Sequence, residues 1–456
     1  MITTINPATG ETIKEYEQFT DQRVDQTIRA CHEAFLDWKK LTHKERGEHL
    51  QNLAKALRGH KEEFAKLMTE EMGKLYQQGH QEVELCAAIC EYTAKTGPEE
   101  LQDEKRELPN GGNGLITYSP IGVVYGIQPW NFPAYQVIRY AAASLMAGNG
   151  VLLKHAANVT GCALLLEKIF QKAGLPNDIF KVLLIDHDQS DKVIEHELVR
   201  GVTLTGSPGA GKIIAQKAAA ALKKTVMELG SNDAYIVLSD ADLETAVKAC
   251  VLGRVFNNGE TCVAAKRFIV VDELYDDFRD AYVEKMKNLP YGDPFDKNNK
   301  LGPMAREDLR EELHEQVQKS VEKGAKALCG GEMPDGPGFY YPATVLENVK
   351  PGQPAYDEEL FGPVASLMRA KDDEDAMRIA NDSRFGLGGG IFSKDPERAR
   401  QFARDHFDTG MVFINSFGLA QPNMPFGGVK DSGYGREHGG FGVHEFVNAK
   451  AIMELA

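Results

Sequence analysis

One cysteine of the chain lies in a segment whose residue types could carry chemistry. Cys262 ends the run Gly259-Glu260-Thr261-Cys262, directly after two asparagines. A thiolate at such a turn is a nucleophile that can bond covalently to an electrophilic carbon. Because a lone cysteine is more often an inert buried residue, Cys262 alone predicts no particular reaction.

Two other polar residues lie beside turns that could place them at the edge of a cleft. Glu228 ends a predicted strand just before Gly230, which is a suitable position for a general base. Asn131 stands between Pro129 and Pro133, which fix the backbone, so its amide could donate to an oxyanion. The alternatives are a solvated or ion-paired glutamate and an ordinary turn asparagine.

A glycine-rich turn, Gly206-Ser207-Pro208-Gly209-Ala210-Gly211, follows a predicted strand and opens an alanine-rich helix. The N-terminus of a helix offers free N–H groups and a positive dipole end to a phosphate. The spacing differs from the G-x-G-x-x-G fingerprint of dinucleotide-binding folds. The turn is compatible with a nucleotide and equally with a plain strand-to-helix connection.

The segments around these residues alternate between strands and helices. Between about residues 22 and 95 helices are predicted, and one has an apolar face formed by Leu50, Leu53, Ala54 and Leu57. Downstream we predict extended chain over 115–128, strands over 151–154, 180–185, 202–204 and 225–227, and helices over 134–146, 161–171 and 189–198. A second alternating block runs from about residue 232 to 431. This pattern predicts an α/β protein with a parallel, doubly wound sheet.

Composition argues against several classes of protein. With 456 residues and a formal net charge of −15, the chain should form two or three domains and should bind neither nucleic acid nor an anionic membrane. It has no run of about 18 apolar residues and no basic, apolar leader. Its seven cysteines are widely spaced, without a C-x-x-C pair, which argues against disulfides and structural zinc. We therefore expect a cytoplasmic protein without a metal site.

Six motifs occur in one order along the chain, and together they carry a resemblance that no single motif does. They are PWNFP (129–133), GSPGAG (206–211), MELG (227–230), GETC (259–262), EELFGP (358–363) and PFGGVKDSG (425–433). With matching intervals, this set resembles the aldehyde dehydrogenase superfamily from Asn6 to Asn448. Within it, the chain is similar to short bacterial succinate-semialdehyde dehydrogenases, especially at 153–156 and 302–306.

The resemblance implies a role for each candidate residue. Cys262 would attack the aldehyde carbon, and its N–H together with the Asn131 amide would stabilise the oxyanion. After hydride has left for NADP or NAD, Glu228 would activate the water that hydrolyses the thioester. Glu359 would bind the nicotinamide ribose and Lys154 the adenosine ribose. The implied cofactor-binding residues are Trp130, Lys154, Ala157, Gly206, Ser207, Gly211, Leu229, Glu359 and Phe361.

Three residues depart from the pattern of most relatives. Glu260 replaces a glutamine two residues before Cys262, where a carboxylate would raise the thiol pKa unless it points away or is paired. Ser231 replaces the second glycine of E-L-G-G and adds a side chain near the cofactor turn. Ala157 replaces the glutamate that holds the ribose hydroxyls in strict NAD users, which favours the use of NADP.

Arg139 is the candidate for substrate selection. It follows Asn131 by eight residues, an offset at which succinate-semialdehyde dehydrogenases hold the distal carboxylate of their substrate. The second arginine of some of those enzymes is missing, because Phe256 occupies its position and Arg254 lies two residues further back. The alternative is an arginine paired with an acid on a helix surface.

The implied fold is aldehyde dehydrogenase-like, with a Rossmann-type parallel-sheet cofactor domain, an α/β catalytic domain and a small bridging β element. The cofactor domain would comprise residues 1–102 and 121–230, and the catalytic domain residues 231–435. The bridging element would comprise residues 103–120 and 446–456. Relatives join subunits through the bridging element, and exposed strand edges need a partner, so a homodimer or homotetramer is expected.

Two alternatives to succinate-semialdehyde oxidation follow from the same motifs. One is an enzyme for another aldehyde, of the betaine, aliphatic or CoA-acylating type. The other is a non-catalytic structural or binding descendant of the fold. The acylating class lacks the hydrolytic glutamate, and a non-catalytic protein would be free to lose its nucleophile, whereas this chain has both Glu228 and Cys262.

Overall fold

The computed structural model describes residues 1–109 and 111–455. The first half of the chain contains β1 (Ile2–Ile5), β2 (Thr12–Tyr16), α1 (Asp21–Trp38), α2 (His43–Gly59), α3 (Lys61–Met72), α4 (Tyr76–Glu100), β3 (Glu104–Glu107), β4 (Asn113–Pro120), β5 (Val123–Gln128), α5 (Tyr135–Ala147), β6 (Gly150–His155), α6 (Thr160–Lys172), β7 (Phe180–Val182), α7 (His187–Glu195), β8 (Val199–Thr205), α8 (Pro208–Ala220) and β9 (Lys224–Glu228). The second half contains β10 (Ala234–Val237), α9 (Leu243–Val255), β11 (Arg267–Val271), α10 (Asp272–Lys287), α11 (Glu307–Glu322), β12 (Lys326–Cys329), β13 (Thr344–Glu347), α12 (Pro354–Asp357), β14 (Val364–Ala370), α13 (Asp373–Asn381), β15 (Phe385–Gly386), β16 (Gly389–Phe392), α14 (Pro396–His406), β17 (Phe413–Ile414), β18 (Val429–Lys430), β19 (Gly433–Tyr434), α15 (Phe441–Glu445) and β20 (Val447–Glu454). Short 3₁₀ turns occur at Ala157–Val159 and Phe256–Gly259.

One large sheet, here called the cofactor sheet, has the strand order β19-β9-β8-β5-β6-β7. Strands β5 to β9 are parallel, because helices carry the chain back between successive strands, and β19 is antiparallel to β9. The strand order reverses between β5 and β8, which is where doubly wound sheets bind ligands, at their carboxyl ends. The predicted parallel, doubly wound α/β sheet is therefore confirmed.

The second large sheet has the order β12-β13-β14-β11-β10-β16-β17. Its paired strands are parallel, apart from β12 against β13. Apolar clusters cover both faces of this sheet, in agreement with its nearly continuous apolar strands. Segments between its strands, namely α11 between β11 and β12 and residues 358–361 between β13 and β14, line the candidate site.

A smaller antiparallel sheet has the strand order β20-β4-β3. Strand β20 pairs with β4 from Val447 opposite Pro120 to Glu454 opposite Asn113. Most of β20 is exposed, including the apolar residues Ile452 and Met453. Asn110 and Ala456, which fall inside the ranges assigned to the bridging element, lie outside the described residues.

The helices of the N-terminal part pack on the cofactor sheet in a large apolar cluster. The predicted apolar face of α2 is confirmed, since Leu50, Leu53, Ala54 and Leu57 are all fully buried. A capping box between Thr42 and Glu45 starts this helix. Within 1–109 and 111–455, no helix has the length and apolar character required to cross a membrane.

Three sequence-based expectations need correction. The extended segment 115–128 is two strands in different sheets, because β4 ends at Pro120 and Gly122, with a φ of +136°, redirects the chain into β5. The predicted strand 180–185 is only Phe180–Val182. Strand β19 lies within the range 231–435 but pairs with β9, so a segment of that range completes the cofactor sheet. The division into domains otherwise stays a proposal.

Candidate active site

A cleft of about 430 Å³ opens at the carboxyl ends of β5, β8 and β9. Its other walls come from α11, from the segment 358–361 and from Arg384 and Phe385. The cleft is lined by eight of the residues singled out in the sequence: Trp130, Asn131, Gly206, Ser207, Leu229, Cys262, Glu359 and Phe361. Residues that are distant in the sequence thus converge where the strand order of the cofactor sheet reverses.

The turn before Cys262 has an unusual backbone. Asn257, Asn258 and Gly259 have positive φ angles of 53°, 58° and 77°. Asparagine and glycine tolerate this left-handed region better than other residues. A Cβ on Gly259 would lie 2.4 Å from the Gly362 carbonyl carbon, so only glycine fits there. The compact turn leaves Cys262 half-buried on the cleft wall.

The Asn131 amide is fixed by its neighbours. Its Nδ2 donates to the Glu260 carbonyl at 3.1 Å, and its Oδ1 accepts from Gln136 Nε2 at 3.3 Å. One N–H of Nδ2 is left over and can serve a ligand in the cleft. Within the described chain, the backbone N–H of Cys262 donates to no acceptor. Two donors are therefore available beside the thiol.

A buried ion pair, which sequence reasoning missed, holds the backbone around Asn131. Lys74 Nζ donates to Glu82 at 2.6 Å and to the Asn131 carbonyl at 3.0 Å. The other Glu82 oxygen accepts from the N–H groups of Ala134 and Tyr135 at the start of α5. Neither residue belongs to a motif that marks catalysis, and the contact spans 57 residues. No local sequence signal could have found this pair.

Glu228 lies behind the cleft, at the end of β9, and is almost fully buried. Neither carboxylate oxygen has a hydrogen-bond partner among the described residues. Burial raises the pKa of Glu228 well above its usual range, while the nearby Arg139 guanidinium acts in the opposite direction. An unpartnered carboxylate with increased basicity is suited to accept a proton from water.

The glycine-rich turn leads into α8 as predicted. Ser207 caps the helix, since its side chain accepts from Ala210 N–H, and Pro208 occupies the first turn. Gly206 and Ser207 line the cleft. Gly211 does not, because it packs on Leu229, where a Cβ would approach Cδ2 to 2.5 Å. Its smallness serves the packing of α8 on β9.

Glu359 and Phe361 lie on the wall opposite the cofactor sheet. The Phe361 ring meets the Trp130 ring edge to face, with centroids 5.8 Å apart. Glu359 Oε1 lies 3.1 Å from Lys266 Nζ but has no well-directed hydrogen bond within the described chain. Two aromatic rings and an acceptor carboxylate therefore border the same space.

Lys154 and Ala157 line a separate cavity of about 280 Å³ at the carboxyl ends of β6 and β7. Asp186 and His187, at the start of α7, line it too. Burial lowers the pKa of Lys154, and the Asp186 carboxylate counteracts this effect. With Ala157 at this position, the carboxylate in this cavity comes from α7 rather than from the residue that strict NAD users employ.

Arg139 is buried, with a 1% exposed side chain, and does not line the main cleft. Its guanidinium is ion-paired with Glu437 and donates to Thr205 Oγ1 at 2.9 Å. The acid-paired state, considered above as the alternative, is thus what the structure shows, although in the interior rather than on a helix surface. Nη1 has no partner among the described residues, and Arg139 borders a narrow second cavity with His438.

The unusual Glu260 does not act on the thiol. Its Oε1 accepts from the Ala305 N–H at 3.0 Å, so the carboxylate points away from Cys262. Burial raises the pKa of Cys262 to about 11, while Arg139 and Lys266 favour the thiolate. Phe256, which occupies the position of the second arginine of some succinate-semialdehyde dehydrogenases, stacks on Phe132. Arg254, two residues before it, is buried and donates to backbone carbonyls.

Comparison with known proteins shows where this architecture recurs. The profile of the aldehyde dehydrogenase family matches residues 1–452. A succinate semialdehyde dehydrogenase [NAD(P)+] of Escherichia coli (strain K12) is 45% identical over 450 residues, 99% of this chain and 97% of that one. A succinate-semialdehyde dehydrogenase [NADP(+)] of Mycobacterium avium (strain 104) is 43% identical over 454 residues, 99% and 96% of the two chains.

A solved structure shows the same similarity in three dimensions. The succinic semialdehyde dehydrogenase from Streptococcus pyogenes, in complex with NADP+ as the cofactor, has a TM-score of 0.97 and is 36% identical. The match covers 100% of both chains. The resemblance carried by the six motifs is confirmed, and the chain belongs to the aldehyde dehydrogenase family.

Proposed function

We propose that the protein oxidises succinate semialdehyde to succinate through a thioester at Cys262, with NADP or NAD as the hydride acceptor. The observation that supports this most directly is the convergence of Cys262, Asn131 and Glu359 on one cleft at the ends of parallel strands. The relatives described above are named for this activity.

Cys262 and Asn131 carry out the first half of the reaction. The thiolate forms a C–S bond to the aldehyde carbon, and the carbonyl electron pair moves onto oxygen. The remaining N–H of Asn131 Nδ2 and the N–H of Cys262 donate to this oxyanion. Removing one such donor costs about 10²- to 10³-fold in rate.

Glu228 carries out the second half. A bound nicotinamide would supply the hydride acceptor, and loss of hydride from the former aldehyde carbon would re-form the carbonyl as a thioester at Cys262. Glu228 then takes a proton from a water whose oxygen attacks the thioester carbon. The C–S bond breaks, and the acid leaves as the Cys262 thiolate is regenerated. The free oxygens of Glu228 support its assignment to this step.

The residues at the cleft fit a nicotinamide dinucleotide. The α8 N-terminus with Ser207 would hold the pyrophosphate, and Glu359 offers an acceptor to the ribose hydroxyls. Lys154 can pair with a 2′-phosphate, and Ala157 presents no charge against it. Because Asp186 lines the same cavity, the site is not purely cationic. We propose that NADP is used at least as well as NAD.

Arg139 remains our candidate for the distal carboxylate of the substrate. Its unpartnered Nη1 supports this assignment. The Glu437 carboxylate shares the charge of the guanidinium, which reduces what a substrate gains. A charge-assisted bond is worth about 1.5–3 kcal/mol, or roughly 10- to 150-fold in kcat/KM. We expect the lower end, about tenfold, for succinate semialdehyde over butyraldehyde.

Initial rates with succinate semialdehyde, butyraldehyde and betaine aldehyde, each with NADP and NAD and with and without CoA, test this proposal. Cys262→Ala is the control for background reduction. A preference for butyraldehyde or betaine aldehyde would move the protein to one of the alternative aldehyde classes. Dependence on CoA would indicate an acylating enzyme, and the absence of NAD(P)H formation with every aldehyde would indicate a non-catalytic protein.

We also propose a cytoplasmic protein that assembles as a homodimer or homotetramer through the exposed edge of β20. Its apolar residues Ile452 and Met453 and its unpaired strand edge support this assembly. Sedimentation velocity of the wild type and of Met453→Lys tests it. A monomeric wild type would contradict the proposal.

A further inference from the structure

A buried lysine lies beneath the nucleophile turn, outside the six motifs. Lys266 follows Cys262 by four residues and immediately precedes β11, and its side chain is 1% exposed. An ammonium in such a place must be paired or hydrogen-bonded, because its transfer from water is unfavourable. The groups that surround it therefore show what it holds.

The ammonium of Lys266 is bonded to the nucleophile turn itself. Nζ donates to the carbonyl oxygen of Cys262 at 2.6 Å and to that of Thr261 at 3.2 Å. It also donates to Ser231 Oγ at 2.9 Å, and the Ser231 hydroxyl donates in turn to the Cys262 carbonyl. The carbonyl of the nucleophile is thus held by two donors that are bonded to each other.

The same ammonium reaches the opposite wall of the cleft. Glu359 Oε1 lies 3.1 Å from Lys266 Nζ. Glu359 lines the cleft, whereas Lys266 does not. One buried cation therefore connects the backbone that carries the thiol with the carboxylate that faces the cofactor space.

We propose that Lys266 is a positioning residue, which fixes the carbonyl end of the nucleophile turn and connects this turn to Glu359. Ser231 accepts a hydrogen bond from the Lys266 ammonium and helps to hold it in place. The proposal rests on the function proposed above for Cys262 and Glu359. It gives a physical reason for Ser231, since the glycine found in most relatives could not bond to the ammonium.

The local charges support this arrangement. Burial opposes ionisation of Cys262 and raises its pKa, whereas the Arg139 and Lys266 cations lower it. The carboxylates of Glu359 and Asp233 also raise the pKa of Cys262, and both lie close to the Lys266 ammonium. Removing this cation would leave Arg139 alone to counteract the effect of those two carboxylates on the thiol pKa.

The pH dependence of Cys262 alkylation tests the proposal without aldehyde or cofactor. Iodoacetamide labelling of the Cys262 peptide is followed by mass spectrometry for the wild type, Lys266→Met and Ser231→Gly. Lysine-to-methionine exchange at Lys181, which is ion-paired with Glu167 outside the site, is the matched control. Lys266→Met should shift the profile upward by about one pH unit, which slows labelling about tenfold at pH 8.

Ser231→Gly should slow labelling about threefold, and the Lys181 control should match the wild type. Lys266→Met should also weaken NADP binding several-fold, measured by quenching of protein fluorescence, because Glu359 loses its partner. Wild-type labelling and NADP affinity in Lys266→Met would overturn the proposal. If that variant does not fold, unchanged labelling in Ser231→Gly overturns it.

The two proposals can fail separately. If the wild type oxidises no aldehyde but Lys266→Met still shifts the labelling profile, the proposed function is wrong and the positioning role stands. If the wild type oxidises succinate semialdehyde and Lys266→Met keeps the wild-type profile, the positioning role is wrong and the function stands.

Discussion

Exchange of Glu82 for glutamine tests how the oxyanion amide is held. Glutamine can still accept from the N–H groups at the start of α5, but it removes the charge that faces the Lys74 ammonium at 2.6 Å. Breaking a buried ion pair in this way costs about 3–5 kcal/mol. With an unfolding entropy of ~2.1 cal/mol/K per residue, the 456 residues give about 1 kcal/mol/K. The expected drop in Tm is therefore roughly 3–5 °C.

Activity should fall as well, because Lys74 also bonds to the Asn131 carbonyl. Displacement of a catalytic group by about 1 Å can cost ~10²-fold, so we expect kcat/KM to fall about 10- to 100-fold. The double change Lys74→Met with Glu82→Gln removes both buried charges and should recover most of the Tm. It should not recover activity, because the Asn131 carbonyl loses the Lys74 ammonium and keeps only Asn257 Nδ2 as a donor.

The matched control is Glu315→Gln, which breaks an exposed Lys319–Glu315 pair of the same 2.6 Å distance. Exposed pairs contribute about 0–1 kcal/mol, so Tm should change by at most about 1 °C. Differential scanning calorimetry and initial rates measure both effects. If Glu82→Gln matched this control in Tm and kept wild-type kcat/KM, the buried pair would not hold Asn131.

Four further outcomes are expected. Cys262→Ala should abolish aldehyde oxidation but retain NADP binding; turnover above a few percent of wild type would refute the thioester. Glu228→Gln should give a burst of NAD(P)H and then slow turnover. Its kcat should lack the rise with pH of the wild type, because burial raises the pKa of Glu228 and only the ionised carboxylate is a base. A normal steady-state kcat would exclude Glu228 as the base. Ala157→Glu should shift preference towards NAD, and unchanged cofactor ratios would contradict this site. Arg139→Ala is combined with Glu437→Gln, because the single change would leave a buried carboxylate unpaired. The double variant should lose the preference for succinate semialdehyde over butyraldehyde. An equal fall in kcat/KM for both substrates would show that Arg139 has a structural role.

The main features of the fold and of the cleft could be read from the sequence, because they depend on local patterns. The alternation of strands and helices predicted the parallel sheet. Motifs singled out Asn131, which follows β5 at the edge where the carboxyl ends of parallel strands meet, and Cys262, which lies in the turn before β11. In these cases the sequence pattern that supports the prediction lies within one short segment of the chain.

Only the tertiary structure decided which buried charges meet. Lys74 pairs with Glu82 and reaches Asn131, and Arg139 pairs with Glu437 from the far end of the chain. Lys266 has no motif of its own and acquires its role from the carbonyls that fold around it. A charge in water needs no particular partner, whereas a buried charge must have one. Which partner it finds depends on how whole elements pack, and no local pattern in the sequence records that.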